Sequence, residues 1–133
     1  DYFNTFGGNP VSATAGKAVL EVVARENLLA NVRQSGDYLI AGFKKLADKH
    51  ELIGDIRGKG LFLAVELVRS RSTKDPASSE AAEVVEIMRE NGVLVALIGE
   101  QRNTIKLRPP LVFTTEHADI ALAALDDALS RVA

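Results

Sequence analysis

Residues 52–68 decide the fold of this chain and read Leu-Ile-Gly-Asp-Ile-Arg-Gly-Lys-Gly-Leu-Phe-Leu-Ala-Val-Glu-Leu-Val. Before this stretch, apolar side chains recur at the three- and four-residue spacings of a helix, whereas within it the pattern becomes extended. Gly58-Lys59-Gly60 divides the stretch in two, and glycines at a short connection favour a tight turn. The sequence therefore predicts two strands joined as a hairpin.

Two helices are predicted before the hairpin. The first runs from Val11 to Glu26 and is apolar on most faces, so it needs a large surface to pack against. The second begins at Asn27, whose side chain is expected to cap it, and continues to about His50. The stripe that should face inward on this second helix consists of Leu28, Val32, Leu39, Phe43 and Leu46.

A polar loop and a third helix follow the hairpin. Residues 69–79 contain few apolar side chains and include a proline, as is typical of a loop. The hydroxyl of Ser78 or Ser79 is expected to cap the third helix. Asn91-Gly92 is expected to end it, because glycine readily adopts the backbone angles found just beyond a helix.

The rest of the chain supplies two more strands and a last helix. Residues 93–97 and 104–107 are predicted strands, and Pro109-Pro110 must end the second because proline cannot donate to a sheet ladder. Thr114 or Thr115 is expected to cap the last helix. Its inward side chains are predicted to be Ala118, Ile120, Ala121, Leu125, Ala128, Leu129 and Val132. This order of elements predicts an α+β fold, a small sheet of about four strands covered by helices.

Composition limits the possible functions. The 133 residues are 47% hydrophobic, which is enough for the core of one compact domain. Sixteen Lys and Arg against eighteen Asp and Glu give a formal charge of −2 without long charge runs, so no nucleic-acid or membrane partner is expected. The chain has no cysteine, which excludes disulfides, thiolate zinc sites and thiol nucleophiles. A soluble cytoplasmic protein is expected.

Side chains for self-contained catalysis are not evident. His50 and His117 lie far apart in sequence without the spacing of a metal motif or an obvious carboxylate partner, so surface or capping roles are expected for both. No serine or threonine stands in a nucleophile-elbow context. We therefore predict no catalytic residue and no metal site within these residues.

The opening stretch Thr5-Phe6-Gly7-Gly8-Asn9-Pro10 forms a glycine-bearing turn before the first helix. Its glycines permit close approach of a ligand, and the Thr5 hydroxyl lies where N–H groups at a helix start favour an anion. One interpretation is a phosphate-binding loop. The other is a tight turn that only starts a helix.

Three motifs in order resemble the class III aminotransferases, pyridoxal-phosphate enzymes of fold type I. Thr5 to Pro10 is similar to the segment that follows the cofactor-binding lysine in that family. Ile-Arg-Gly-Lys-Gly-Leu-Phe-Leu-Ala-Val-Glu-Leu at 56–67 resembles the hairpin of its small domain. Ile-Lys-Leu-Arg-Pro-Pro-Leu at 105–111 resembles its late strand before the final helix. Together these motifs cover essentially the whole chain.

The resemblance implies that this chain is the C-terminal part of a longer enzyme. Residues 1–26 would be the loop and helix that connect to a missing large domain, and residues 27–133 the C-terminal small domain. A chain that begins with Asp inside a loop, without Met, agrees with that expectation. The large domain would carry the lysine that holds pyridoxal 5'-phosphate, so this portion alone is expected to be inactive and not to bind the cofactor. The complete enzyme is expected to be a homodimer acting on a small amine or amino acid.

The resemblance also implies roles for individual residues. Thr5, with Gly7 and Gly8, would contact the cofactor phosphate in the neighbouring subunit's site. Lys106 stands where many members have an arginine that binds the substrate α-carboxylate, and a lysine suits a phosphate better than a bidentate carboxylate. Arg108 either reinforces this substrate-binding anion site or is a solvated edge charge.

Three functions remain as alternatives at this point. The first is amino-group transfer between an amine or amino acid and a keto acid or aldehyde. The second, suggested by Lys106 and by the resemblance of residues 50–58 and 102–106 to the phosphoethanolamine and phosphohydroxylysine phospho-lyases, is elimination of phosphate from a phosphorylated amine. The third is a free-standing interaction domain whose partner binds the apolar helix at residues 11–24.

Overall fold

The computed structural model describes residues 3–5 and 7–132. Asp1, Tyr2 and Phe6 of the predicted opening loop, and Ala133 at the end of the predicted small domain, lie outside the described residues. The predicted order of elements and the α+β class are confirmed. The elements are α1 (Pro10–Arg25), α2 (Leu28–Lys49), β1 (Ile53–Lys59), β2 (Phe62–Leu67), α3 (Ser78–Glu90), β3 (Ala96–Ile98), β4 (Thr104–Leu107) and α4 (Thr115–Val132).

The four strands form one antiparallel sheet in the order β1-β2-β4-β3. Alternate side chains of β2 and β4, namely Leu63, Val65, Leu67, Ile105 and Leu107, are buried against α2, α3 and α4. The side chains between them point to the opposite face, which the described helices leave open. None of the helices described by the structure has the length and apolarity needed to cross a membrane.

The hairpin turn determines how closely α2 approaches the sheet. Gly60, between β1 and β2, has a φ of 55°, a conformation that favours glycine. Gly36 of α2 lies against this turn, where an added Cβ would be 2.6 Å from the carbonyl carbon of Gly60. Because that atom belongs to the backbone, only glycine at position 36 permits this contact.

Helix α1 extends away from the core. None of its residues is buried, and α2 is the only described helix or strand that it contacts. Val11, Val19 and Leu20 are each more than half exposed. The expectation that this apolar helix lacks a sufficient packing partner within the chain agrees with this exposure.

Asn27 does not cap α2 in the predicted way. Its backbone is left-handed, with a φ of 52°, and its side chain makes no capping hydrogen bond. Only Glu26 and Asn27 separate α1 from α2, so the chain must turn sharply there, and asparagine tolerates the left-handed region. The carbonyl oxygen of Asn27 accepts hydrogen bonds from the N–H groups of Ala30 and Asn31.

The prediction that Ser78 or Ser79 caps α3 is also wrong. Ala77 occupies the cap position without a side-chain hydrogen bond. The Ser78 hydroxyl instead donates to the carbonyl of Gln101, and the Ser79 hydroxyl donates to Glu80. The predicted stop is confirmed, since Asn91 follows the last residue of the helix and Gly92 has a φ of 82°.

One strand boundary and one inward-facing residue also differ from prediction. Strand β3 begins at Ala96 rather than Val93, because the N–H of Val93 bonds to the carbonyl of Met88 and so belongs to the end of α3. Ile120 of α4 is 57% exposed rather than inward, although its neighbours Ala118 and Ala121 are buried.

Candidate functional site

The opening loop places Thr5, Gly7 and Gly8 on the surface just before α1. Asn9 caps this helix with its side chain: Oδ1 accepts from the N–H of Val11 at 2.9 Å and from that of Ser12 at 3.3 Å. Because these amides already have an acceptor, they are not available to an anion, and the phosphate-binding role of the loop stays a prediction. An anion beside Thr5 would depend on its hydroxyl and on the loop backbone.

Gly8 is not required by the described part of this chain. Its φ lies outside the left-handed region, and an added Cβ would have no atom within 4 Å. At Gly7 the three described atoms nearest to an added Cβ would belong to the side chain of Asn4. The Thr5 hydroxyl makes no hydrogen bond within the described residues. The open space at Gly8 therefore fits a group that approaches from outside the chain.

Lys106 lies on β4 and points away from the core. It pairs with Ala64 of β2 on one side and Ala96 of β3 on the other. Arg108 lies just after the strand and is exposed. Both side chains line one surface cavity beside Pro109, and neither forms an ion pair within the described residues. The structure therefore brings these two predicted cations together.

A second cavity extends from Lys106 across the open face of the sheet. Its lining consists of Arg57, Gly58, Phe62, Leu63, Ala64, Ile98 and Lys106. Nη1 of Arg57 donates to Oδ2 of Asp55 and to Oε2 of Glu66, each at 2.6 Å. The hydrogen bonds to Asp55 and Glu66 raise the pKa of Arg57 above its ordinary value. Sequence reasoning did not identify this residue, because only the strand register places it near Lys106.

The two predicted groups of site residues are separate in this chain. The cavities lined by Lys106 or Arg108 contain no residue of the described opening segment 3–9. Helix α1, which follows that segment, contacts α2 but none of the strands. Thr5 and Lys106 therefore do not share a site formed by the described residues.

His50 has one of its two predicted roles, since it is the C-terminal cap residue of α2, but it is not a surface residue. Its side chain is buried, and Nε2 lies 2.6 Å from Oδ1 of Asp126 on α4. Nζ of Lys49 donates to the same carboxylate at 2.7 and 2.8 Å. The hydrogen bond with His50, followed by that with Lys49, lowers the pKa of Asp126. The cluster joins α2 to α4 and lies outside the cavities lined by Lys106.

His117 has the predicted role at a helix end. Its Nδ1 accepts from the N–H of Thr114 at 3.2 Å and lies 3.0 Å from the Thr114 hydroxyl. Within residues 3–5 and 7–132, no three His, Cys, Asp or Glu side chains converge in a way that would hold a metal ion.

Similarity to known proteins covers nearly the whole chain. The model of the family "Aminotransferase class-III" matches residues 1–129. The mitochondrial alanine–glyoxylate aminotransferase 2 homolog 2 of Arabidopsis thaliana is 47% identical over 98% of this chain. The ethanolamine-phosphate phospho-lyase homolog 1 of Caenorhabditis elegans is 41% identical over 97% of it. A solved phospholyase from Arthrobacter, in complex with phosphoethanolamine, superposes over 97% with a TM-score of 0.90 and 42% identity.

The chain spans only part of each of these relatives. It corresponds to 28% of the length of both the Arabidopsis and the Caenorhabditis protein, and to 31% of the phospholyase chain. The match nevertheless includes the opening loop, the hairpin and the late strand, the segments that first suggested the resemblance. This chain belongs to the class III aminotransferase family.

Proposed function

We propose that this chain is the small-domain portion of a pyridoxal-phosphate enzyme that transfers an amino group between an amine or amino acid and a keto acid or aldehyde. The observation that carries the proposal is the family match over residues 1–129. The 47% identity to an alanine–glyoxylate aminotransferase homolog supports the transfer reaction. Residues 1–26 then connect to the rest of the enzyme, and residues 27–133 form the small domain.

The exposure of α1 supports this division. Its apolar side chains, including Val19 and Leu20, have no cover within the described chain. Most of the length of the relatives lies outside the region matched here. The remainder of the enzyme, from the same or the partner subunit, is the surface that α1 requires.

Thr5 and Gly8 are proposed to contact the phosphate of the cofactor in the partner subunit's site of a homodimer. An exposed threonine hydroxyl and, three residues later, a glycine with open space around it fit such a group. When bound, pyridoxal phosphate supplies the electron sink for the reaction at the amino carbon. The 133 residues contain no lysine in the family's cofactor-binding context, so the isolated chain does not retain the cofactor and is inactive.

Lys106 and Arg108 are proposed to hold the anionic end of the substrate. Both line one cavity, and neither cation is neutralised by an ion pair within the described residues. An anionic group on the amine substrate would therefore meet uncompensated positive charge there. Pro109 and Pro110 stiffen the chain that follows and so keep Arg108 near the strand end.

A second candidate reaction is elimination of phosphate from a phosphorylated amine. The specific observation is the lysine at position 106, where many members have arginine, because an ammonium group binds phosphate well but cannot form a bidentate pair with a carboxylate. The similarity to two phospho-lyases agrees with this candidate.

One experiment on the full-length enzyme separates the two reactions. The enzyme, saturated with pyridoxal phosphate, is given alanine with glyoxylate, and in a second reaction phosphoethanolamine. Formation of pyruvate and glycine supports amino transfer, whereas release of inorganic phosphate without amino transfer supports elimination. Absence of both products with a range of amines and acceptors would contradict the proposed function. Cofactor absorbance that survives dialysis of the isolated 133-residue chain would contradict its proposed inability to retain the cofactor.

A further inference from the structure

Arg57, Ala64 and Lys106 lie in one row across the open face of the sheet. In the strand register, Arg57 pairs with Ala64, and Ala64 pairs with Lys106. Adjacent strands are about 5 Å apart, so the Cα atoms of Arg57 and Lys106 are on the order of 10 Å apart. The side chain between these two long cationic ones is a single methyl group. All three residues line the same cavity.

Two hydrogen bonds orient the guanidinium of Arg57 but leave some of its N–H donors available. Its two carboxylate partners, Asp55 and Glu66, both bond to Nη1. Within the described residues Nε and Nη2 make no hydrogen bond, so the edge of the guanidinium that binds an oxyanion in a bidentate manner remains available. The side chain of Arg57 is 49% exposed, which gives a ligand access to that edge.

The cavity between the two cations favours an anion with a short apolar body. Phe62 and Ile98 supply apolar walls, and no carboxylate lines the cavity within the described part of the chain. Lys106 forms no ion pair among these residues. An anionic group over Ala64 would therefore have the ammonium group of Lys106 on one side and, on the other, the Nε and Nη2 edge of Arg57, whose Nη1 is paired with Asp55 and Glu66. The rest of the molecule would make apolar contacts.

We propose that Arg57 and Lys106 jointly bind one carboxylate or phosphate group of the substrate across the methyl group of Ala64, with Asp55 and Glu66 orienting the guanidinium. This inference rests on the proposed function and refines it. Of the two cavities that share Lys106, it places the anionic end of the amine substrate in the one lined by Arg57 rather than in the one lined by Arg108. Arg57, on the hairpin, would thus determine substrate specificity together with Lys106 on β4.

The test uses the full-length enzyme saturated with cofactor and three amines of similar length: phosphoethanolamine, β-alanine and propylamine. Arg57→Lys keeps a positive charge beside Asp55 and Glu66 but removes the pair of N–H donors that can bind an oxyanion in a bidentate manner. We expect its KM to rise about tenfold for one or both anionic amines and to stay within about twofold for propylamine. Ala64→Leu fills the space between the cations and is expected to give the same pattern. A rise for phosphoethanolamine alone identifies phosphate as the bound group, and a rise for β-alanine identifies carboxylate.

Arg69→Lys is the matched control, because Arg69 is also ion-paired, with Glu80, but lies outside this cavity. Its KM values should equal those of the wild type. Calorimetric affinity for phosphoethanolamine provides a readout that does not need turnover, and thermal unfolding verifies that each variant is folded.

Two outcomes overturn the inference. One is that Arg57→Lys and Ala64→Leu both retain wild-type KM and affinity for the anionic amines while Lys106→Met loses them; the proposed function then stands without Arg57. The other is that the wild-type enzyme does not bind phosphoethanolamine or β-alanine at all. If the wild type converts none of the three amines, the proposed function is in question instead, and the calorimetric comparison of Arg57→Lys with wild type still decides the role of Arg57.

Discussion

Nε2 of the buried His50 lies 2.6 Å from Oδ1 of Asp126, and this contact joins the end of α2 to the middle of α4. The Asp126 carboxylate also receives Nζ of Lys49. Two helices that cover the same face of the sheet are thus connected by a polar cluster at the edge of the core. The cluster has a structural role, since the cavities lined by Lys106 do not include it.

Asp126→Asn is expected to lower the free energy of unfolding by about 1 kcal/mol, because a partly exposed charge-assisted hydrogen bond contributes at the lower end of its range. The pKa of Asp126 is lowered from its ordinary 3.8. Its contribution is therefore fully present above about pH 4 and is lost as the pH falls through the lowered pKa. Urea denaturation of both proteins at a series of pH values measures this difference. Asp48→Asn, which removes an exposed carboxylate of α2, is the control and should show no such dependence on pH.

Arg71→Ala is expected to lower the free energy of unfolding by about 1–3 kcal/mol. The Arg71 guanidinium donates to the carbonyl groups of Ala47, His50 and Ile53, and so caps the end of α2 from the loop after β2. Its removal takes this donor away from all three carbonyls, although that of His50 still accepts from the N–H of Ile53. Arg69→Ala in the same loop breaks an exposed ion pair with Glu80 and should cost less, because solvent screens such a pair. Equal losses in chemical denaturation would show that Arg71 is only another surface charge.

Gly36→Ala and Gly16→Ala should change stability in opposite directions. Alanine is favoured over glycine inside a helix by about 1 kcal/mol, and at Gly16 an added Cβ meets nothing within 4 Å. Thus Gly16→Ala should stabilise the 133-residue chain. Gly36→Ala should destabilise it by about 1–3 kcal/mol, since the new methyl group would collide with the backbone of Gly60.

The same Gly16→Ala substitution tests whether α1 packs against the rest of the enzyme. If that helix is covered there at close range, the added methyl group should be neutral or destabilising in the full-length protein. Thermal unfolding of both lengths of protein makes the comparison. Equal stabilisation in both would show that the face of α1 around Gly16 stays open.

Thr5→Ala and Lys106→Ala should affect different properties of the complete enzyme. Thr5→Ala is expected to weaken cofactor retention by about tenfold with little change in substrate preference, because it removes the proposed hydrogen bond to the cofactor phosphate. Lys106→Ala is expected to change the preference for anionic substrates while leaving cofactor affinity unchanged. Equilibrium dialysis of the cofactor and KM values report the two effects. Thr14→Ala is the control, since that hydroxyl bonds to the carbonyl of Pro10 within α1.

The sequence could indicate which types of residue form the candidate site but not how these residues are arranged in space. The residue types at Thr5, Gly8 and Lys106 predict anion binding, because hydroxyl groups, glycine backbone and ammonium groups can all contact an anion, and this role stays a prediction. The sequence did not indicate that the side chain of Asn9 accepts hydrogen bonds from the first N–H groups of α1, since that depends on the conformation of this side chain. The sequence also did not predict that Arg57 and Lys106 lie near each other. They are 49 positions apart, and only the register of β1, β2 and β4 places them in one row across the sheet.

The sequence by itself determined the order of elements, the fold class and the ends marked by glycine and proline, because periodicity and backbone restrictions act over a few residues. It also determined that α1 needs a partner, since an apolar helix carries that requirement in its own composition. Only the tertiary structure decided the caps of α2 and α3, the burial of His50 against Asp126, and the row of Arg57, Ala64 and Lys106 on the open face of the sheet. These features depend on contacts between residues distant in sequence, and neither spacing nor local propensity specifies which distant side chain will be the neighbour.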